Sequence, residues 1–288
     1  MLKTRLVGVL IIRDDIVVQS INFNQYLPVG SPSISVDYLD QWGIDEIIVL
    51  NISPISDEKA WLKKITEFSQ NCHVPMTIGG GIRSIDLMKK IIHSGADKVA
   101  INTAVYNDFG LISEGAKLFG EQCIVVSIDA KKVNDHQYRA YANSGKLDTQ
   151  LSPVDVAKKA ESSGAGEIFI NSIDRDGRKN GLDKELATQV GQAVNIPVVI
   201  CGGVGHPDHF VDGFSLDVSG VAASNIFHYS EHAVTVVKNF LKQNQCNVRL
   251  DSYVNYGDFD FDELGRVSKM DDDRLEKLRF EYIPEEII

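Results

Sequence analysis

Residues 75–86 read PMTIGGGIRSID and residues 197–208 read PVVICGGVGHPD, so Pro75, Gly80, Gly81 and Asp86 recur 122 positions later as Pro197, Gly202, Gly203 and Asp208. At the same offset Val99-Ala100-Ile101-Asn102-Thr103 lies over Val221-Ala222-Ala223-Ser224-Asn225, an apolar run that ends in small polar residues. Each copy therefore pairs a Gly-rich turn, with free backbone N–H groups, with hydroxyl or amide side chains, which is what a phosphate needs. Two copies predict two phosphate sites and a ligand phosphorylated at both ends.

The duplication also constrains the fold. Apolar runs of strand length recur eight times, over residues 5–12, 46–52, 74–78, 98–102, 123–129, 167–171, 196–201 and 218–223. Amphipathic stretches of helical period separate them, usually entered through Ser or Asp and left through Gly. Continuous apolar strands alternating with helices indicate a parallel sheet covered on both sides, and eight in about 250 residues is the count of a (β/α)8 TIM barrel. A doubly wound open sheet shares the alternation but does not explain why the second half repeats the first.

The repeat reaches beyond the phosphate turns. Residues 45–51, DEIIVLN, resemble residues 166–172, GEIFINS, which makes Glu46 and Glu167 equivalent at the starts of the second and sixth strands. The first and fifth strands, VGVLIIRDD and VVSIDAKK, set Ile11 opposite Asp129 at the C-terminal end, where barrels keep their catalytic residues. One half carries a carboxylate there and the other does not.

Two insertions break the rhythm. Residues 14–30 are too long for a simple strand-to-helix connection and read as a mobile active-site loop, whereas residues 133–150 read as a short hairpin over the same face. The barrel is expected over 1–250, followed by an acidic tail, 251–288. Of the net charge of −11, the tail contributes −7 from 12 acids and 5 bases, leaving a nearly neutral body. Its aromatics, Tyr253, Tyr256, Phe259, Phe261, Phe280 and Tyr282, are too many for a solvated linker.

Several classes of function are excluded. No apolar run is long enough for a membrane span and the N-terminus turns charged too early for a signal peptide, so a cytoplasmic protein is expected. No basic stripe suits nucleic acid. Cys72, Cys123, Cys201 and Cys246 are widely spaced, and are expected to be reduced and mostly buried. The histidines show no metal-ligand spacing, so neither a metal nor another cofactor is expected.

The strings IGGGI, GADKVAINTA, SIDAKK, GAGEIFINSIDRDG, GGVG, AAS and NVRL, in this order over residues 1–250, closely resemble the cyclase subunit of imidazole glycerol phosphate synthase, HisF. In that family the barrel receives ammonia from a glutaminase below and joins it to a bis-phosphorylated ribulosyl substrate above. The resemblance implies that Gly81, Asn102 and Thr103 hold one phosphate and that Asp176, Gly177, Gly203 and Ser224 surround the other. It further implies an ammonia gate of Arg5, Glu46, Lys98 and Glu167, and a docking role for Asp97 toward a HisH-like glutaminase. Two acids and two bases across a barrel mouth can neutralise one another, and a small neutral molecule passes when one swings aside.

The pattern fails at specific places. The family's two catalytic aspartates end the first and fifth strands; here the second is Asp129 and the first is Ile11. An aliphatic side chain carries no proton, and loss of a general acid or base typically costs about 10²- to 10⁴-fold in rate. Gln19 stands where the family has a loop lysine, and Asn171 replaces a threonine near the substrate. Asp14 and Asp15 read as solvated turn charges.

With phosphate turns and gate retained and cyclase groups lost, the reading is a conduit that keeps ammonia and drops cyclisation. The resemblance together with the missing residues implies that it serves the amidination of a nucleotide sugar in surface polysaccharide synthesis, acetamido to acetamidino, alongside an ATP-dependent amidotransferase. The alternatives are an authentic cyclase subunit of histidine biosynthesis and a non-catalytic scaffold or activator of the glutaminase that binds through its tail.

Overall fold

A computed structural model describes residues 3–277. β1 (Arg5–Arg13) turns back into a hairpin of β2 (Ile16–Ile21) and β3 (Gln25–Gly30), followed by α1 (Pro32–Gln41). Next come β4 (Glu46–Asn51), α2 (Glu58–Ser69), β5 (Met76–Gly79), α3 (Ile85–His93), β6 (Lys98–Ile101), α4 (Thr103–Asn107) and α5 (Gly110–Phe119). The second half opens with β7 (Ile124–Asn134), extended by β8 (Gln137–Ala142) and β9 (Leu147–Asp148), and continues through α6 (Pro153–Ser162), β10 (Glu167–Ser172) and α7 (Lys184–Gly191). It closes with β11 (Val198–Cys201), α8 (Pro207–Phe214), β12 (Gly220–Ala223) and α9 (Ala233–Gln243), with α10 (Asp272–Lys277) in the tail.

Eight parallel strands close in the order β1-β4-β5-β6-β7-β10-β11-β12 and back to β1. This is the (β/α)8 barrel that the periodicity predicts. Side chains alternate across each strand, so every second residue points into the barrel. The interior cluster of Val7, Val9, Ile48, Val125, Phe169 and Val199 is distinct from the larger layer, with Leu6, Leu10, Ile47 and Ile168, that packs under the helices. Helix starts are fixed locally. Asp57, Ser84, Ser152 and Asp183 accept backbone N–H bonds at the N-termini of α2, α3, α6 and α7, and Pro opens α1, α6 and α8.

The duplication is visible in the backbone. Val7 pairs with Glu46 and Ile11 with Leu50, as Val125 pairs with Glu167 and Asp129 with Asn171. Gly80 and Gly202 share φ +105°, and Asn102 (φ −118°, ψ −90°) resembles Ser224 (φ −113°, ψ −78°). A Cβ on Gly80 would lie 1.9 Å from the Asn51 carbonyl oxygen, so only glycine lets the turn close there.

Two expectations need correction, and the course of the tail is added to them. Residues 14–30 form a regular hairpin, not a loop, because Asp14 (φ 50°) and Asp15 (φ 68°) make a two-residue turn with left-handed backbone, from which β2 pairs antiparallel with β1. Of the four cysteines, all free, only Cys201 is buried; Cys72, Cys123 and Cys246 are half-buried. The tail, over its described residues, folds back on the barrel. The Asp251 carbonyl lies against Gly43, Tyr253 and Tyr256 meet His232, and Phe261 packs edge-on against Phe240 at 5.4 Å. Phe280 and Tyr282 lie outside the described residues.

Candidate functional site

At the N-terminal mouth of the barrel, β1, β4, β6 and β10 each place their first inward residue. Arg5 bonds both Glu46 and Glu167, and Lys98 Nζ reaches Glu46 at 2.8 Å and Glu167 at 2.7 Å, so four side chains from four strands form a closed, charge-neutral ring. The two glutamates are buried, and Glu46 also accepts from Thr77 Oγ1 at 3.3 Å. Burial alone would lower the Arg5 pKa, but Glu167 and Glu46 outweigh it and raise the guanidinium above its ordinary value. Such a ring persists in a buried setting because each charge has partners on both sides.

Near this end two aspartates do structural work. Asp97 accepts from Met76 N at 2.7 Å, and Asp45 accepts from Leu6 N at 2.8 Å while pairing with the buried Lys238 at 2.6 Å. Asp97 is itself exposed.

At the C-terminal mouth lies a cavity of about 580 Å³. Gly81, Asn102, Thr103, Asp129 and Asn171 all line it, together with Ile11. Asp129 is only 9% exposed and accepts from Asn102 Nδ2 at 3.0 Å. Burial first, and then the charge of Asp176, push its carboxyl up to about 7, against the pull of the Asn102 bond. A group titrating there can accept or donate a proton near neutral pH. Ile11, 8% exposed, presents a methyl-bearing chain in the equivalent position. Asp14 and Asp15 do not replace the missing acid: Asp14 bonds Ser53 and Asp15 bonds Lys64, both at the exposed hairpin turn.

The second set of phosphate residues is assembled differently. Asp176, Gly177, Gly203 and Ser224 do not line this cavity. The Asp176 carboxylate accepts from Ser20 Oγ at 2.6 Å and Phe23 N at 3.0 Å, and a Cβ on Gly177 would meet the Ser20 carbonyl oxygen at 2.4 Å. The β2–β3 hairpin thus packs directly on the Asp176-Gly177 turn, and Asn225 fastens it by bonding Ser20 N and O. Ser224 Oγ is buried without a partner, as is Asn171 Oδ1 in the main cavity. The Ser224 hydroxyl can donate or accept and the Asn171 oxygen can accept, and the chain itself supplies neither with a partner.

Some of this site was missed in the sequence. Ser127 lies between Val125 and Asp129 in the inward column, and period-two counting finds it. Ser20 and Asn225 meet across 205 positions, and no local signal announces that contact. Gln19, on β2, does not line the main cavity.

The fold and site define a (β/α)8 barrel with a Gly-rich turn in each half, one buried carboxylate of raised pKa above and a closed charge ring below. The chain belongs to the histidine biosynthesis protein family, whose model matches residues 5–233. It is 41% identical over 252 residues to imidazole glycerol phosphate synthase subunit HisF of Hydrogenobaculum sp., covering 87% of this chain and 100% of that protein. A Bacillus cereus HisF is 38% identical with the same coverage. A Vibrio vulnificus protein described as a putative imidazole glycerol phosphate synthase subunit hisF2 is 40% identical over 275 residues, covering 92% of this chain and 98% of that protein. The chain is thus a HisF-like synthase subunit. Among the described residues, no helix is long and apolar enough to cross a membrane.

Proposed function

We propose that this barrel takes ammonia from a HisH-like glutaminase at its N-terminal mouth and passes it upward for amidination of a nucleotide sugar, without performing the cyclisation itself. The observation that carries the reading is Ile11: one wall of the cavity has Asp129 with its raised pKa, and the equivalent wall has no proton to exchange. The ring of Arg5, Glu46, Lys98 and Glu167 serves as the gate, and Asp97 belongs to the glutaminase-facing surface. Gly81, Asn102 and Thr103 hold one phosphate, and Gly177, Gly203 and Ser224 the other once the hairpin lifts from Asp176.

The acceptor chemistry belongs to a separate enzyme of the ATP-dependent amidotransferase type. The acetamido oxygen attacks the α-phosphorus of ATP and displaces pyrophosphate, ammonia then adds at the activated carbon, and the oxygen departs with AMP as the added nitrogen gives up a proton. Complementation of a histidine auxotroph lacking the cyclase tests the proposal. No growth is expected, and growth at the wild-type rate overturns it.

The second reading is an authentic cyclase of histidine biosynthesis. One observation favours it: the charge of Asp176 acts on Asp129, so two carboxyl groups share the upper barrel despite Ile11. It requires Asp176 to leave Ser20 and Phe23 and serve as the second acid. A scaffold that grips the glutaminase through the tail is disfavoured, because the described tail residues are engaged with α9 and α8.

A further inference from the structure

Between the charge ring and the cavity the barrel is filled by a single apolar layer, and Phe169 stands in its middle. Strand alternation on β10 puts Glu167 in the ring, Phe169 above it and Asn171 in the cavity wall, a climb of about 13 Å along the strand. Phe169 is 0% exposed and is the only ring among the fully packed members of the inner cluster. The cavity reaches down to Ala100 and Ser127, the register neighbour of Phe169, but does not include Phe169, Val125 or Val9. A molecule rising from the ring therefore meets the phenyl group first.

The layer is uneven. Val9, Ile48, Val125 and Val199 are branched and stiff, whereas Ala100 and Ala222 in the same cluster carry only a methyl group. A close-packed interior yields where its side chains are smallest, and the two alanines flank β10 from opposite sides, two strands away on β6 and on β12, so the ring has most room sideways on either flank. Apart from the hydroxyls of Thr77, held by Glu46, and of Ser127 at the cavity floor, the wall is apolar, which strongly disfavours ammonium relative to ammonia.

We propose that Phe169 is an inner valve of the ammonia path: its ring seals the inner cluster at rest and opens a route to Asn171 by swinging aside, toward Ala100 on one flank or Ala222 on the other. This rests on the conduit reading and adds a second barrier above the charged gate. The two barriers differ in kind, since the lower one yields by parting ion pairs and the upper one by rotating a ring.

The test uses the complex of this chain with its glutaminase and the ATP-dependent amidotransferase, fed glutamine labelled with ¹⁵N in the amide and unlabelled ammonium in the medium. Product nitrogen in the wild type is expected to come mainly from glutamine. Phe169→Trp, which overfills the layer, should lower the glutamine-derived rate about tenfold while leaving the rate at saturating external ammonium within about twofold. Ala100→Val combined with Ala222→Val removes the space on both flanks of the ring without touching it and should have the same effect, which keeps the test open if the Trp variant does not fold. Wild-type transfer from glutamine in either folded variant overturns the valve. A wild-type complex that takes no nitrogen from glutamine overturns the conduit reading, and the valve with it.

Discussion

Ile11 and Asp129 occupy the same place in the two halves of the barrel: each points inward near the C-terminal end of its strand, each is followed by an antiparallel hairpin, and their register partners Leu50 and Asn171 are themselves equivalent. The duplication therefore marks where a second carboxylate belongs, and this chain has an aliphatic side chain there. What remains is a single acid whose proton affinity is set by burial.

That acid should be visible in the pH dependence of stability. The Asp129 carboxyl lies near 7 when folded and near 3.8 by default, so the folded state holds a proton that the unfolded state has released between those values. Folding stability is then penalised progressively as pH rises from about 4 to 7, and the penalty is complete above 7. Asp129→Asn removes it. The variant should match the wild type near pH 4 and exceed it at pH 8 by on the order of 2–4 kcal/mol, measured by urea unfolding at both pH values. A constant difference across that range contradicts the assignment.

The charge ring predicts a non-additive pair. Lys98→Met strips Glu46 and Glu167 of a shared partner and should cost about 3 kcal/mol of stability. Adding Glu167→Gln removes the excess negative charge and leaves Arg5 with Glu46 as a neutral pair. The double variant should be more stable than Lys98→Met alone, and chemical denaturation of all four species of the cycle measures it. Additive losses would mean that the four groups do not act as one ring.

A third expectation concerns the glycine turns. Gly80→Ala places a methyl group 1.9 Å from a backbone oxygen at φ +105°, whereas Gly30→Ala meets nothing within 4 Å. The first should lose at least about 2 kcal/mol of stability together with phosphate binding, and the second should stay within about 0.5 kcal/mol. Thermal unfolding with and without inorganic phosphate separates the two effects.

Much of this was readable from the sequence because the barrel's logic is periodic. Counting by twos from Arg5, Glu46, Lys98 and Glu167 leads to Ile11, Leu50, Asn102 and Asn171, so the residues of the charge ring and of the cavity wall share the same inward columns, although the ring itself was singled out by the family resemblance. The β2–β3 hairpin was not readable for a physical reason. Its turn places Asn22 (φ 53°) and Phe23 (φ 55°) in left-handed backbone, and phenylalanine is no turn former. Asp176, more than 150 positions away, stabilises the turn by taking the Phe23 N–H on its carboxylate and the Asn22 N–H on its carbonyl. The packing of the tail was hidden likewise, since the partners of Tyr253, Tyr256 and Phe261 lie on α9 and at its start, and nothing in the tail's own pattern names them.

The central claim is that this barrel moves ammonia but does not cyclise. Steady-state turnover of the bis-phosphorylated ribulosyl substrate by the purified chain, with saturating ammonium and no glutaminase, tests it most directly. The account predicts no turnover above background in the wild type or in Asp129→Asn. Turnover in the wild type that disappears in Asp129→Asn would contradict it and establish the chain as a cyclase.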